Sequence, residues 1–317
     1  IIRGNHFDFC RTSIISSGVG FIFTDNFVDR GWWEGGAYQV WLWEAEGAIV
    51  SNNIFNLTYD TIGMANSVDI NIENNIFQNT RETYAWSIYG RDSSNITVQK
   101  NHFQNHSGSP IVFQRINESL IKENTFFEVY GPDNVWVSGI NNKIINNTFE
   151  YCGSLISIPA AYGISGCIEV TKDGYDDDNV NLYGSNIIKG NIIKNFSASA
   201  IVVALSNTFV EENTIINGTP YFTQDSAAID AYTQNSVSPS DVFIRDNYIE
   251  DVDIGVFLDG TTQTSGGSNN IVERNTITMS DKGIYIITKT GVFQAANILN
   301  NSITNTLTAI EIDNGVE

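Results

Sequence analysis

Three acidic residues occupy similar surroundings at wide intervals along the chain. Glu169, Asp230 and Asp259 each follow an apolar residue within a short apolar segment. Paired carboxyl groups about 5–5.5 Å or ~6.5–9.5 Å apart provide the acid and the base or nucleophile for glycosidic bond cleavage. These three residues are therefore the catalytic candidates, provided that the fold brings them to one face.

A repeated motif indicates how they are positioned. Alternating apolar residues are followed by Asn, one further residue, and Phe or Ile, at a minimum spacing of about 22 residues. The motif asparagines are Asn5, Asn53, Asn75, Asn101, Asn124, Asn147, Asn191, Asn213, Asn247, Asn275 and Asn301, with Asn26 as a looser copy. Repetition at this period is typical of a solenoid. We expect the asparagines to lie at sharp corners, where Asn tolerates left-handed backbone, and to form a hydrogen-bonded ladder.

Each repeat predicts three short strands: one before the asparagine, one after it, and a third after a turn. This arrangement resembles the pectin lyase-like superfamily of right-handed parallel β-helices over essentially the whole chain. The resemblance implies an all-β solenoid of about 12 coils, with a binding groove along the third strand and its loops. Signature motifs of its polygalacturonases and alginate epimerases are absent, so no residue roles are carried over from those families.

The third strands predict one outward column of side chains. It contains Glu169, Asp230 and Phe257, with Asp259 beside Phe257, and then Tyr285. Glu169 and Asp230 lie two coils apart, which places their backbones roughly 10 Å from each other. That separation is near the range of an inverting glycosidase, while Asp259 is about one coil from Asp230. Phe257 and Tyr285 are candidate substrate-binding rings, and exposed acidic decoration is the alternative for the carboxylates.

Aromatic residues are concentrated near the start of the chain. Trp32, Trp33, Tyr38, Trp41 and Trp43 lie within a short segment. We expect Trp41, Tyr89 and Trp136 to face outward on the third strands, where aromatic rings stack on sugar rings. Packing against a neighbouring segment remains the alternative.

Insertions are expected at about 153–166, 172–184, 218–226, 233–240 and 260–268, flanking the acidic column. One contains Asp176, Asp177 and Asp178, a candidate Ca²⁺ site because Ca²⁺ binds carboxylate oxygens; a solvated acidic loop is the alternative. Cys152 and Cys167 are either bridged or free thiols.

A lyase would require a base and a positive charge at the substrate carboxylate. Arg91 and Arg115 follow the third strands of adjoining coils, and Tyr89 is nearby. This trio is the lyase candidate, and two ordinary turn arginines are the alternative.

The net charge of −20, with only 16 Lys and Arg, predicts repulsion from nucleic acid and anionic lipid. It also disfavours polyuronates unless a divalent cation bridges them, and it leaves neutral glycans as partners. No apolar stretch is long enough to insert into a membrane. The pattern is already under way at Ile1, so we expect residues 1–317 to be a single domain taken from a longer chain.

Our leading hypothesis is an extracellular or cell-surface glycoside hydrolase that acts on a polysaccharide and requires no cofactor. The first alternative is a non-catalytic surface protein, adhesin, surface-layer element or filament segment, since open solenoid ends favour end-to-end or side-by-side self-association. The second alternative is a polysaccharide lyase.

Overall fold

A computed structural model describes residues 1–9, 14–31, 38–80, 85–153, 166–171, 184–219, 227–232, 239–260, 269–288 and 296–313. The chain divides into two compact units: unit 1, Ile1–Cys152, and unit 2, Gly153–Glu317. The described residues form strands, turns and bends without helix. Accordingly, no helix in this part of the chain has the length and apolarity needed to cross a membrane.

Unit 1 contains short strands that recur in threes. They are β1 (Ile2–Arg3), β2 (His6–Asp8), β3 (Ile14–Val19), β4 (Ile22–Thr24), β5 (Phe27–Asp29), β6 (Val40–Glu46), β7 (Ile49–Ser51), β8 (Ile54–Asn56), β9 (Ile62–Ala65), β10 (Val68–Glu73), β11 (Ile76–Gln78), β12 (Trp86–Arg91), β13 (Ser94–Gln99), β14 (His102–His106), β15 (Ser109–Gln114), β16 (Leu120–Lys122), β17 (Thr125–Val129), β18 (Val135–Val137), β19 (Lys143–Ile145) and β20 (Thr148–Cys152).

Unit 2 continues the same pattern, with two long strands that turn a corner. Its strands are β21 (Gly166–Val170), β22 (Asn186–Lys189), β23 (Ile192–Phe196), β24 (Ser199–Val203), β25 (Thr208–Glu211), β26 (Thr214–Gly218), β27 (Ala227–Ala231), β28 (Phe243–Arg245), β29 (Tyr248–Gly260), β30 (Asn270–Glu273), β31 (Thr276–Thr288), β32 (Ala296–Leu299), β33 (Ser302–Thr304) and β34 (Thr308–Asp313).

Each strand pairs in parallel with its counterpart one coil away, which makes three sheets in each unit. The first sheet holds the strands before the motif asparagines, for example β10 on β13 and β25 on β28. The second holds those after them, and the third holds the strands that follow the turn, such as β12 on β15 and β24 on β27. The fold is thus the predicted right-handed parallel β-helix.

The motif asparagines form the expected ladder. In unit 1 the Oδ1 of Asn101 accepts hydrogen bonds from the backbone N–H and the Nδ2 of Asn75, at 2.9 and 3.0 Å. The same pair of bonds recurs in unit 2, where the Oδ1 of Asn247 accepts from Asn213 at 2.9 and 3.0 Å. The structure has about nine turns, fewer than the predicted 12 coils.

One local expectation was wrong. The left-handed residue at the corner is the one before the motif asparagine, with φ of 56° at Asn52, 55° at Asn74 and 55° at Lys100. The motif asparagines from Asn26 to Asn275 are instead buried, and their side-chain amides form the hydrogen bonds of the ladder. A buried amide group needs partners, so the ladder, rather than backbone tolerance, explains the repeated Asn.

The interior of unit 1 contains a column of stacked phenylalanines. Phe55, Phe77, Phe103, Phe126 and Phe149 follow one another at centroid distances of 4.4–5.0 Å with nearly parallel rings. All are essentially inaccessible. Burying such a side chain contributes about 1.5–3 kcal/mol, which explains why the second residue after the motif asparagine is Phe or Ile in every copy except the looser one at Asn26.

Candidate functional site

The outward face of the third sheet in unit 1 bears a chain of aromatic rings, here called the aromatic row. It consists of Tyr38, Trp41, Trp43, Trp86 and Tyr89. Trp43 and Trp41 are 6.3 Å apart between ring centroids, Trp41 and Tyr38 are 4.8 Å apart, Tyr38 and Tyr89 are 5.8 Å apart, and Tyr89 and Trp86 are 4.7 Å apart. Trp43 is 40 % exposed, and Trp41, Trp86 and Tyr89 are half-buried.

Strand register explains why the rings meet. Trp41 on β6 lies opposite Gly63 on β9, which in turn lies opposite Tyr89 on β12. Glycine leaves room on the middle strand: a Cβ at Gly63 would lie 2.3 Å from Cε3 of Trp41 and 2.6 Å from Cγ of Tyr38. The indole of Trp41 therefore extends across the strand that separates it from Tyr89.

A buried carboxyl group adjoins the row. Asp60 precedes β9, and the N–H of Trp86 donates to its Oδ1 at 3.0 Å. The N–H of Gln39 donates to the Asp60 carbonyl at 3.2 Å, which places Asp60 between the rungs of Tyr38 and Trp86. Burial raises the pKa of Asp60 to about 6, and the hydrogen bond from Trp86 opposes that rise. Burial also raises the pKa of Tyr38, with a smaller contribution from the Asp60 charge.

The lyase candidates lie beside the row. Arg91 is two residues beyond Tyr89, and Arg115 lies one rung further on. Both guanidinium groups contact one carboxylate: Nη2 of Arg115 lies 3.0 Å from Oδ2 of Asp92, and Nε of Arg91 lies 3.2 Å from the same oxygen. The hydrogen bonds from Arg115 hold the pKa of Asp92 below its usual value. Tyr89 donates to Gln114.

The third predicted ring of unit 1 continues the same column. Tyr89 pairs with Val112, and Val112 pairs with Trp136 on β18. Trp136 is half-buried. Trp41, Tyr89 and Trp136 therefore share one outward column, as the alternation of the third strands predicts. Trp32 and Trp33 lie outside the described residues.

Unit 2 places the acidic candidates in register. Glu169 pairs with Val202, Val202 with Asp230, and Asp230 with Phe257. Two rungs thus separate the carboxylates, a backbone distance of roughly 10 Å. Glu169 is 9 % exposed and Asp230 is 2 % exposed, so both lie below the surface. The hydroxyl of Thr171 donates to Oε1 of Glu169 at 2.9 Å.

Asp259 lies in the neighbouring column. Its backbone pairs with Ile287, two positions after the pairing of Phe257 with Tyr285. One rung and two residues separate it from Asp230, which corresponds to about 8 Å between backbones at ~4.8 Å per rung and ~3.3 Å per residue. That exceeds the spacing of a retaining pair unless the side chains converge.

The two rings predicted to bind substrate in unit 2 are packed together. Phe257 and Tyr285 stack at 5.2 Å with an interplanar angle of 9°, and they belong to a buried cluster with Ala227 and Ile254. The ammonium group of Lys282 lies 3.5 Å above the Tyr285 ring. These contacts stabilise the sheet and leave little ring surface accessible.

Sequence reasoning missed Asp60, Trp86 and a buried Ser–His pair. Nε2 of His106 lies 2.7 Å from Oγ of Ser87, and its Nδ1 lies 3.0 Å from the Gly108 carbonyl oxygen. Burial lowers the pKa of His106 to about 4. Aligning Ile62 with Ile88 as inward residues brings Asp60 next to Trp86, so the strand register is the signal that would have identified that contact.

Two family models match different parts of the chain. "Periplasmic copper-binding protein (NosD)" matches residues 1–152, and "Right handed beta helix region" matches residues 178–316. No curated protein matches. Solved structures that are similar over nearly the whole chain include the following three.

The first is the mannuronan C-5 epimerase AlgE4 A-module of Azotobacter vinelandii, with 14 % identity, 97 % of this chain and 86 % of that chain covered, and a TM-score of 0.68. The second is PfbA, a surface adhesin of Streptococcus pneumoniae, with 13 % identity, coverage of 97 % and 85 %, and a TM-score of 0.60. The third is a tailspike protein mutant of E. coli bacteriophage HK620 in complex with a hexasaccharide, with 10 % identity, coverage of 95 % and 64 %, and a TM-score of 0.53.

Parallel register, three sheets and an asparagine ladder define a right-handed parallel β-helix protein. This is the fold that the resemblance to the pectin lyase-like superfamily implies, and the family model for residues 178–316 is that of a right-handed β-helix region. The solved structures similar to it include polysaccharide-acting enzymes and adhesins.

The name of the first family model directs attention to metal ligands among the described residues. No group of three or more His, Cys, Asp or Glu among them is arranged to hold a metal ion. Both ring nitrogens of His106 have hydrogen-bonding neighbours, and Cys152 and Cys167 are each disulfide-bonded, which rules out the free-thiol alternative. The candidate Ca²⁺ ligands Asp176, Asp177 and Asp178 lie outside the described residues.

Proposed function

We propose that the protein binds carbohydrate on the outward face of the third sheet of unit 1, with the aromatic row as the principal contact. The stack of rings from Trp43 to Trp86, in which every ring except the buried Tyr38 is partly exposed, is the observation on which this depends. Sugar rings present C–H faces to aromatic rings, and an exposed aromatic surface on a rigid sheet is suited to that contact. The hexasaccharide complex of the HK620 tailspike supports a glycan as ligand for this type of fold.

The row is also preorganised. Trp41 is held by Tyr38 on one side and rests over Gly63, so little side-chain freedom remains to be lost on binding. Rings that are already ordered bind with a smaller entropic cost. This property distinguishes the row from surface aromatics such as Tyr151, which is 44 % exposed on the second sheet and meets the Phe127 ring edge-on at 5.9 Å.

Binding is tested by titrating the full chain with a panel of plant, algal and bacterial oligosaccharides while following tryptophan fluorescence and heat. Trp43→Ala and Trp86→Ala are each expected to weaken binding of a positive ligand about tenfold, which corresponds to about 1.4 kcal/mol. The matched control Tyr151→Ala removes an exposed ring elsewhere in unit 1 and is expected to leave the affinity unchanged. Equal effects of all three substitutions would contradict the proposal.

A second candidate function is glycoside hydrolysis at the acidic column of unit 2. The register that aligns Glu169 with Asp230 across Val202 supports it, because two such carboxylates can serve as acid and base. In this proposal Glu169 and Asp230 are the catalytic pair and Asp259 assists, while the stacked rings of Phe257 and Tyr285 support the sheet beside them. The burial of Glu169 and Asp230 implies that substrate must enter a covered site.

Hydrolysis is tested by measuring reducing ends released from the same panel. Glu169→Gln and Asp230→Asn are expected to lower turnover at least a hundredfold, since general acid–base catalysis contributes about 10²–10⁴-fold. Asp281→Asn, an exposed acid on β31, is the control. Activity that survives both substitutions would remove this candidate, and binding without any turnover would favour an adhesin-like role.

Location outside the cytosol follows as part of the proposal. The disulfide-bonded state of Cys152 and Cys167 is typical of oxidising compartments. PfbA is described as a surface adhesin, and the NosD model as periplasmic. Both descriptions support an extracellular, cell-surface or periplasmic position.

A further inference from the structure

A buried carboxyl group without a cationic partner lies at one end of the aromatic row. Asp60 is 6 % exposed, and its Oδ1 accepts a hydrogen bond from the Trp86 N–H at 3.0 Å. Among the described residues, no side chain forms an ion pair with Asp60, and its Oδ2 has no hydrogen-bond donor. Burial raises the pKa of Asp60 to about 6, so the group is mostly ionised at neutral pH. The row therefore ends beside a negative charge.

Two rings of the row flank this carboxylate. Tyr38 precedes β6 and Trp86 begins β12, on the rungs before and after Asp60. Burial raises the pKa of Tyr38 and the Asp60 charge raises it further, which shows that the two groups are close enough to interact. Tyr38 and Trp86 both stack on Tyr89, at 5.8 and 4.7 Å between ring centroids. A ligand that lies on Trp86 and Tyr89 is thus next to the carboxylate.

The arginines beside the row lie at its other end. Arg91 is five residues after Trp86 on β12, which corresponds to about 16.5 Å at ~3.3 Å per residue. Arg91 and Arg115 both contact Asp92, so a carboxylate already offsets part of their charge. Neither arginine contributes to the pKa of Asp60. The end of the row at Asp60 is therefore negative, although two arginines lie beyond the opposite end.

We infer that the aromatic row binds an amino sugar, a hexosamine with a free, protonated amino group, with the pyranose ring on Trp86 and Tyr89 and the ammonium group at Asp60. This inference rests on the proposed carbohydrate-binding function and specifies its ligand class. An ammonium group donates charge-assisted hydrogen bonds to a carboxylate, and it is attracted to aromatic faces, tryptophan most strongly. The ammonium group of a hexosamine projects from the edge of the sugar ring, as Asp60 lies at the edge of the row.

The burial of Asp60 favours a cation over a neutral group. A neutral ligand that covers an ionised carboxylate removes its remaining water without supplying a positive partner, which is unfavourable. An N-acetylated sugar is therefore disfavoured, although its ring could stack equally well. The net charge of −20 acts in the same direction, since it attracts polycations. Binding of the free-amine form should weaken as salt is raised, whereas stacking of the acetylated form should not.

Matched ligands that differ only in N-acetylation test this inference. Glucosamine oligomers of about four units and their N-acetylated form, and the same pair of galactosamine oligomers, are titrated into the full chain. At about pH 6.5 Asp60 is mostly ionised, and an amine with a pKa near that of an α-amino group, ~7.7–8.0, is protonated. Wild type is expected to bind at least one free-amine form tenfold or more tightly than its acetylated partner. This comparison requires no substitution, so it does not depend on the folding of a variant.

Asp60→Asn keeps an oxygen that can accept from the Trp86 N–H, and it is expected to abolish the difference by weakening only the free-amine form. Asp69→Asn is the matched control, because Asp69 is an exposed aspartate on β10, in the first sheet of unit 1, where it accepts from Asn95. The control removes the same charge at a distance from the row and is expected to leave both affinities unchanged.

Three results would overturn the inference while leaving the carbohydrate site intact. They are equal binding of the free-amine and acetylated forms by wild type, equal loss of both in Asp60→Asn, and a loss of the preference in Asp69→Asn as large as that in Asp60→Asn. Failure of every oligosaccharide to bind, including the wider panel, would instead overturn the proposed function.

Discussion

Asparagine at the rung position has a role that its backbone preference does not explain. Asn213 donates through Nδ2 to Asn247 and to the carbonyl of Ile188, and its Oδ1 accepts from Asn191. Each amide thus completes the hydrogen bonding of two neighbouring rungs inside a buried corner. Loss of one member leaves groups on both sides without their partners.

Asn213→Leu is expected to lower the free energy of unfolding by about 2–4 kcal/mol, because each buried polar group left unsatisfied costs about 1–3 kcal/mol. Asn297→Ala, at an exposed position on β32 of the same unit, is the control and should change stability by less than about 0.5 kcal/mol. Urea unfolding followed by circular dichroism measures both. Similar destabilisation in the two variants would show that the ladder has no special energetic role.

His106 makes stability depend on pH. Its folded-state pKa of about 4 lies below the usual 6.5, so protonation favours the unfolded chain. The stabilisation is fully present above pH 6.5 and is lost as pH falls toward 4, by up to about 3 kcal/mol at 1.36 kcal/mol for each pKa unit. Unfolding measured at intervals between about pH 7 and 4 should show this slope, and His106→Gln should remove it.

Asp60 acts in the opposite direction over part of that range. Its folded-state pKa of about 6 lies above the usual 3.8, so its ionisation destabilises the fold as pH rises through this interval. The comparison of wild type with His106→Gln is therefore preferable to the wild-type curve alone. An unchanged slope in the variant would show that His106 does not account for it.

The alternation of apolar and polar residues along a strand predicts which face of the sheet a side chain is on. It does not predict whether other parts of the chain bury that side chain. Alternation predicts Glu169, Asp230 and Phe257 in one outward column, and the parallel register aligns the three residues in one column. It does not reveal that Glu169 and Asp230 are buried, since alternation identifies a face of the sheet and not what lies above it. Asp60 was missed because it precedes its strand, where alternation no longer applies.

At the scale of the sheet, the missing side chain of Gly63 is what allows the aromatic row to form. The substitution Gly63→Ala would place a methyl group 2.3 Å from the Trp41 ring and displace it. We expect glycan affinity to fall about tenfold or more, because the row loses its order. Near-ultraviolet circular dichroism should change together with the affinity.

Gly218→Ala is a matched control in unit 2. A Cβ at Gly218 would lie 2.3 Å from Cζ of Phe196, so the steric clash would be similar to the one at Gly63. Overpacking of this kind costs about 1–3 kcal/mol of stability, but Phe196 is not part of the row. Loss of glycan affinity in both variants would indicate a general structural effect and not a specific role of the row.

The rest of the sheet architecture could be predicted from the repeated motif, because inward Ile, Val and Phe recur at fixed positions relative to the asparagine. The contact made at Gly63 could not be predicted from the repeat. A glycine in a strand predicts a close approach without identifying the group that approaches. The neighbour became clear only when β6, β9 and β12 were aligned.

At the scale of the whole molecule, exposed apolar residues favour self-association of the chain, and its net charge opposes it. Ile15 and Val19 on β3 are 72 % and 80 % exposed, while the chain has a net charge of −20 and a pI near 4.3. Like-charged molecules repel, and salt or titration toward the pI weakens the repulsion.

We therefore expect the weight-average mass in sedimentation velocity to rise as salt increases from about 0.02 to 0.5 M at pH 7, and again as pH approaches 4.5. Ile15→Ser and Val19→Ser together should reduce that rise, whereas Tyr151→Ser at another exposed position should not. A mass that is independent of salt would mean that charge does not control self-association.

The asparagine hydrogen bonds keep their length although the segments between rungs do not. Asn5 and Asn26 are 21 residues apart and Asn213 and Asn247 are 34 residues apart. The Nδ2 to Oδ1 hydrogen bonds between the two members of these pairs are nevertheless 3.2 and 3.0 Å long. Length variation between neighbouring rungs is thus absorbed without altering the alignment of the strands. A designer could graft foreign peptides into such intervals, and natural selection could exchange one recognition loop for another, while each column of side chains keeps its place.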